Sequence, residues 1–179
     1  AINTAIKGNV LLHQMKTSKS KYVLVEDQFF HEVKSLVNLH KLEVEILNCK
    51  VLKNKELLNE DEIILGKLSD NVCTMFTSGT SGPSKGVMMP NAHCVLFAIG
   101  TIENYNLKDD HTFYISLPLF HANGLFMQLL ACIMTGAKAV IRTRFSASNW
   151  LNDIRNYNIT HTNMLGAIAA FIVAQPPTK

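Results

Sequence analysis

An α/β chain, with a layered and mostly parallel sheet flanked by helices, is the fold class this sequence predicts. Helical and extended patterns alternate from one end of its 179 residues to the other, the signature of strands joined by crossover helices. Nearly half of the residues are apolar, which suits a globular chain with a packed core. A loop rich in glycine and hydroxyl residues, Phe76 to Val87, directly follows an apolar run that reads as a strand.

Each element has its own signal. Gly8 to Thr17 offers Val10, Leu11, Leu12 and Met15 as a helical face, and Tyr22 to Val25 follows as a strand. Asp27 is placed to cap a helix carrying Phe29, Phe30, Val33, Leu36 and Val37 at helical spacing, and Val44 to Leu47 is the next strand. From Asn48 to Asp70 the pattern weakens, and the charged stretch Lys53 to Glu62 reads as an exposed connection with a short helix. Val72 to Phe76 is a strand that feeds the loop. After the loop a helix is expected from about Asn91, which follows Pro90 and can cap the run through Val95, Leu96 and Ile99. Thr112 to Ser116 is a strand, Leu125 to Met134 a helix stopped by Gly136, and Ala139 to Ile141 a strand. Ser146 can cap a helix bearing Trp150, Leu151 and Ile154. Thr160 to Asn163 reads as a strand and Leu165 to Val173 as an apolar helix ended by Pro176 and Pro177. The pattern holds no internal repeat, and residues 1–179 read as one domain.

Composition narrows the function. The net charge of +3 is spread thinly, with no block of five or more like charges, so neither nucleic acid nor an anionic membrane is implied as a partner. Cys49, Cys73, Cys94 and Cys132 are widely spaced without a C-x-x-C pair, which argues against a zinc site and fits reduced thiols in a cytoplasmic protein. No apolar run approaches the roughly 20 residues that span a bilayer. Nothing in the pattern specifies an oligomeric state.

The loop carries the chemistry. Phe76 to Val87 holds five hydroxyl residues, three glycines and a lysine. Glycine lets the backbone approach a ligand closely, successive N–H groups can converge on an anion, and hydroxyls and an ammonium add donors. The other reading of such a composition is an ordinary Gly/Ser turn. The Walker pattern G-x-x-x-x-G-K-[ST] fails, because Ser84 stands at the second glycine's place and Gly86 follows Lys85. The dinucleotide pattern fails as well, the glycines falling at 79, 82 and 86.

The run Thr77-Ser78-Gly79-Thr80-Ser81-Gly82-Pro83-Ser84-Lys85-Gly86-Val87 resembles the phosphate loop of the adenylate-forming enzymes, the AMP-binding superfamily of acyl-CoA synthetases, luciferases and peptide-synthetase adenylation domains. Pro83 stands one place earlier than usual while Lys85 keeps its register, an order similar to that of carnitine and crotonobetaine CoA ligases. A second segment, Leu117-Pro118-Leu119-Phe120-His121-Ala122-Asn123-Gly124, resembles the family's P-L-F-H-x-x-G stretch. By itself a histidine after an apolar strand is more often a packed side chain than a catalytic one.

The resemblance implies a function. Its members join a carboxylic acid to coenzyme A with ATP and Mg2+, through an acyl adenylate. Thr77, Ser78, Gly79, Thr80, Ser81, Gly82, Lys85 and Gly86 would hold the ATP phosphates, with Thr80, Lys85 and His121 in catalytic roles. Phe120, His121, Asn123 and Gly124 would line the acyl pocket. No metal ligand is assigned here, and the family's Tyr-Gly-x-Thr-Glu segment has no counterpart, since none of the four tyrosines precedes a glycine. The chain is therefore expected to be an N-terminal-domain fragment, inactive in isolation, of an ATP-dependent carboxylate–CoA ligase. Another adenylate-forming activity, or a non-catalytic binding module of the same fold, stays open beside it.

Overall fold

The structure, a computed structural model, describes residues 1–50, 66–79 and 82–177. The expected connection from Lys53 to Glu62 lies outside them, as do Thr80 and Ser81. The chain divides into two compact units: Asn3–Lys67 with Phe76–Met88, and Leu68–Met75 with Met89–Lys179 together with the first two residues.

In the first unit, helix α1 (Gly8–Ser18) leads to strand β1 (Tyr22–Val25), helix α2 (Asp27–Leu39) and strand β2 (Glu45–Asn48). β1 and β2 pair in parallel, with Tyr22 opposite Glu45 and Val25 opposite Asn48, as a crossover connection through one helix allows. Leu11 and Met15 of α1 meet Val25, Val33 and Val37 in one apolar cluster. Positions 11 and 15 are four apart and so share a helix face. Asp27 does not cap α2. Glu26 holds that place without a side-chain cap bond, and the Asp27 carboxylate instead accepts from Asn48 Nδ2 and pairs with Lys50 at 2.6 Å.

Strand β3 (Asn71–Phe76) enters the loop and strand β4 (Gly86–Pro90) leaves it, the two pairing as a two-stranded sheet. β4 has no counterpart in the sequence reading, because a glycine opens it and a proline closes it. Helix α3 (Asn91–Tyr105) begins with Pro90 at the cap position and no side-chain cap, so Asn91 is its first helical residue and does not cap it. The chain before β3 ties down this start: Asn91 N–H donates to the Asp70 carbonyl and Ala92 N–H to that of Leu68.

The rest of the second unit is built on strand β5 (Thr112–Ile115), which is buried along its whole length. It lies between strands β6 (Lys138–Ile141) and β7 (His161–Thr162) and pairs with both in parallel, the position in which a strand carries apolar residues on both faces. Phe113 and Ile115 pack with Ala98, Leu107, Ala131 and Cys132. The expected single helix from Leu125 to Met134 is a π-helix over Asn123–Leu130 continued by helix α4 (Ala131–Thr135), which ends at Gly136 with φ of 78° as a glycine cap should. Ser146 occupies the cap position of helix α5 (Ala147–Asn156) but makes no cap bond.

One polar cluster joins β5, α5 and the residue that follows β6. The Tyr114 hydroxyl donates to Asp153 Oδ2 at 3.1 Å, Arg142 Nε donates to the same oxygen at 2.9 Å, and Arg142 Nη2 bonds Asp153 Oδ1. Arg142 holds the buried Asp153 carboxyl below its ordinary value against the cost of desolvation, with the Tyr114 hydroxyl assisting. Helix α6 (Gly166–Val173) closes the sequence of elements; it is apolar throughout and has no buried residue.

Candidate functional site

The loop between β3 and β4 is closed by its own backbone. Thr77 N–H donates to the Lys85 carbonyl at 3.0 Å, Lys85 N–H returns to Thr77 Oγ1 at 3.0 Å, and Gly82 N–H reaches the Gly79 carbonyl at 3.3 Å. These three amides are engaged within the loop itself and hold it closed. Among the described residues of the loop, Ser78 and Lys85 are exposed, and the hydroxyl of one and the ammonium of the other are donors open to an anion.

Two glycines make this closure possible. Gly79 has φ of 69°, and a Cβ there would stand 2.9 Å from the Gly82 carbonyl oxygen and 3.2 Å from Ser84 N. Gly82 has φ of 142° ahead of Pro83, which restricts the residue before it. Only glycine occupies that region without strain. Gly86 is the first residue of β4 and Thr77 the first after β3.

The second segment follows β5. His121 N–H donates to the Pro118 carbonyl at 3.1 Å and its own carbonyl accepts from Leu125 N–H at 3.0 Å, so His121 sits at the corner where turn becomes helix. Its imidazole is exposed and lies 4.6 Å from the Phe120 ring, which removes the reading of a packed core histidine. Gly124 is buried against the turn, where a Cβ would stand 2.5 Å from the Pro118 carbonyl oxygen and 2.7 Å from that of Leu117. Phe120, His121, Asn123 and Gly124 are thus gathered on one turn.

Sequence reasoning missed two residues here. Gln128 is fully buried, and its Nε2 donates to Asn123 Oδ1 at 2.8 Å while its Oε1 has no partner. At 3.6 residues per turn, positions five apart lie about 140° round a helix and do not meet. The wider π winding brings them together. His13 is the other residue, its Nε2 standing 2.8 Å from the Ser84 carbonyl oxygen across 71 positions of sequence. No local pattern signals such a contact. The cysteines are all free, and burial pushes the thiols of Cys73, Cys94 and Cys132 upward, that of Cys132 to about 11.

Comparison with known proteins places these features in a family. The family model described as AMP-binding enzyme matches residues 1–179. The chain is 25% identical over 189 residues to mouse long-chain fatty acid transport protein 6, covering 98% of this chain and 30% of that protein. It is 31% identical over 109 residues to the medium/long-chain-fatty-acid–CoA ligase FadD17 of Mycobacterium tuberculosis, covering 61% of this chain and 22% of that one. Among solved structures, ATP-bound MatB from Rhodopseudomonas palustris superposes with a TM-score of 0.84 at 17% identity over 98% of this chain and 35% of that chain. O-succinylbenzoate coenzyme A synthetase (MenE) from Bacillus subtilis in complex with AMP gives 0.80 at 25% identity over 98% of this chain and 45% of that chain. The chain spans about a third or less of the length of the two curated relatives. With every residue inside the family match and the loop and turn in their expected places along the fold, the chain belongs to the AMP-binding enzyme family.

Proposed function

We propose that this chain supplies the phosphate loop and an acyl-side turn of an ATP-dependent carboxylate–CoA ligase, which activates a carboxylic acid as its acyl adenylate and then passes it to coenzyme A. The observation that carries this reading is the closed loop from Thr77 to Gly86, with its glycine-only backbone and outward-facing lysine. Similarity to fatty-acid–CoA and 2-succinylbenzoate–CoA ligases supports the same reaction class. A reducing, cytoplasmic setting belongs to the reading and agrees with four free thiols.

The loop suits a triphosphate. The missing side chain at Gly79 leaves the Gly82 carbonyl and Ser84 amide within 3.2 Å of where a Cβ would be, so the backbone folds tightly enough to approach an anion. Ser78, Gly79 and Lys85 would contact phosphate oxygens directly, and Thr77, Gly82 and Gly86 would hold the loop in shape. Thr80 and Ser81 are assigned to the phosphates on the sequence motif alone. Mg2+, when bound, would neutralise part of the phosphate charge. Its protein ligands are not assigned to this chain.

Lys85 is the residue through which this loop would act on rate. Charge shifts among phosphate oxygens as the carboxylate attacks, and a fixed ammonium that meets the shifted charge lowers the barrier. His121, exposed at a rigid corner, would orient the carboxylic acid, and Phe120, Asn123 and Gly124 would shape the space beside it.

The test is single-turnover pyrophosphate release from ATP with a panel of carboxylic acids, in a full-length protein carrying this segment. Lys85→Ala is expected to slow adenylation by about a hundredfold, the equivalent of ~3 kcal/mol, while the acid's affinity changes little. Release at the wild-type rate would remove the loop from the mechanism.

A further inference from the structure

The peptide that launches Lys85 is held from three directions. Lys85 N–H donates to Thr77 Oγ1 and the Lys85 carbonyl accepts from Thr77 N–H, both at 3.0 Å. The third hold comes from α1, where His13 Nε2 lies 2.8 Å from the carbonyl oxygen of Ser84. A carbonyl only accepts, so Nε2 carries the proton and His13 is the donor. Both ends of the Ser84–Lys85 peptide plane are therefore bonded. The Ser84 hydroxyl is buried without a partner, so at this place Ser84 is held through its backbone and not through its side chain.

His13 is placed for this contact by the helix that carries it. Leu11 and Met15 face the core of the same compact unit, and position 13 lies about 160° round the helix from each. The apolar stripe anchors α1 and leaves the imidazole directed away from that core.

We propose that His13 is a positioning residue for Lys85: its hydrogen bond to the Ser84 carbonyl fixes the peptide from which the ammonium side chain departs, and so fixes the direction in which that cation meets a phosphate. This rests on the phosphate reading of the loop. A lysine is a flexible point charge with several rotatable bonds. Pinning its backbone removes part of the freedom that binding would otherwise have to remove. The contact requires a donor and not a charge, so a glutamine of similar reach preserves it and a phenylalanine of similar shape does not.

The test uses the full chain as wild type, His13→Phe, His13→Gln and Lys85→Ala, with two readouts. Amide hydrogen exchange by NMR reports the clamp: His13→Phe is expected to speed exchange at Lys85 by about tenfold, the worth of one hydrogen bond, with Val23 and Val25 unchanged. Inorganic tripolyphosphate affinity reports the function. It is expected to fall about fivefold in His13→Phe, to return to within about twofold of wild type in His13→Gln, and to fall further in Lys85→Ala. If His13→Phe loses its fold, His13→Asn replaces it, since that shorter amide stops short of the Ser84 carbonyl and gives the same expected pattern. Unchanged exchange at Lys85, or faster exchange with unaltered tripolyphosphate affinity while Lys85→Ala still weakens it, overturns the role of His13. Tripolyphosphate binding unaffected by Lys85→Ala overturns the phosphate reading itself, and this proposal with it.

Discussion

Gly124 carries the tightest steric demand of any residue near the proposed site. A methyl group there would stand 2.5 Å and 2.7 Å from two backbone oxygens, and backbone cannot swing aside as a side chain does. Gly124→Ala should therefore cost about 3 kcal/mol, at the upper end of overpacking penalties, and urea denaturation of the two proteins measures it. A cost below about 0.5 kcal/mol would show that the turn from Leu117 to Gly124 yields easily. The sequence marks Gly79, Gly82, Gly86 and Gly124 alike as motif glycines and does not say which are required. Gly79 is held by both φ and crowding, Gly82 by φ alone, and Gly124 by crowding alone. Those distinctions depend on distances to chain neighbours, which a string of residues does not contain.

At the scale of elements, the π-helix makes the most specific prediction. Gln128 is buried with its side-chain oxygen unpaired, and its side-chain nitrogen donates to Asn123 Oδ1. Gln128→Leu removes an orphan acceptor along with that bond, so the two effects offset and stability should stay within about 1 kcal/mol of wild type. Gln128→Glu places a carboxylate in the same buried spot opposite an amide oxygen, and should cost about 3 kcal/mol or more at neutral pH. Thermal melts of both variants decide it, and equal melting temperatures would contradict the burial described. β5 was legible because a strand buried along its whole length leaves a continuous hydrophobic signature, and β1, β3 and β6 were legible from short apolar runs although most of their residues are exposed or half-buried. β4 was not, since Gly86 and Pro90 disguise its ends. Asp27 and Asn91 looked like caps by residue type, yet each is the first residue inside its helix, and Asp27 is engaged instead by Asn48 and Lys50. The π winding was hidden because an apolar stretch fits either helix period, and the contact between His13 and Ser84 was hidden by its sequence separation.

Over the whole molecule, each compact unit has its own apolar cluster, and the second also contains the cluster in which the half-exposed Arg142 meets the buried Tyr114 and Asp153. Asp153 is held below its ordinary value of 3.8, first by hydrogen bonds from Arg142. A depressed carboxylate stabilises the fold above its unfolded value, and that stabilisation is lost as pH falls through the folded value. The melting temperature should therefore hold level through mildly acidic pH and decline below about pH 3.8. Tyr114 acts at the other limit, because burial and then Asp153 raise it above its ordinary 10.0, so stability declines as pH rises past that value. Differential scanning calorimetry across pH checks both limbs. Asp153→Asn is expected to lower the melting temperature at neutral pH and to flatten the acid limb; an unchanged acid limb would assign acid sensitivity to other carboxylates.

Helix α6 affects how those measurements are made. Leu165, Phe171 and Val173 are 56%, 60% and 84% exposed along a segment without a single charged side chain. Solvatochromic dyes that brighten on apolar surfaces respond to such a face in the native state as they do to unfolded chain. A dye-based melt of this polypeptide should begin from a bright baseline and show a shallow or inverted transition, while far-ultraviolet circular dichroism of the same sample shows an ordinary cooperative one. Replacing Phe171 and Val173 with lysine should darken the native baseline without moving the dichroism midpoint by more than about 2 °C, since neither side chain is part of a core. Signal in such an assay reports the surface of α6 before it reports stability.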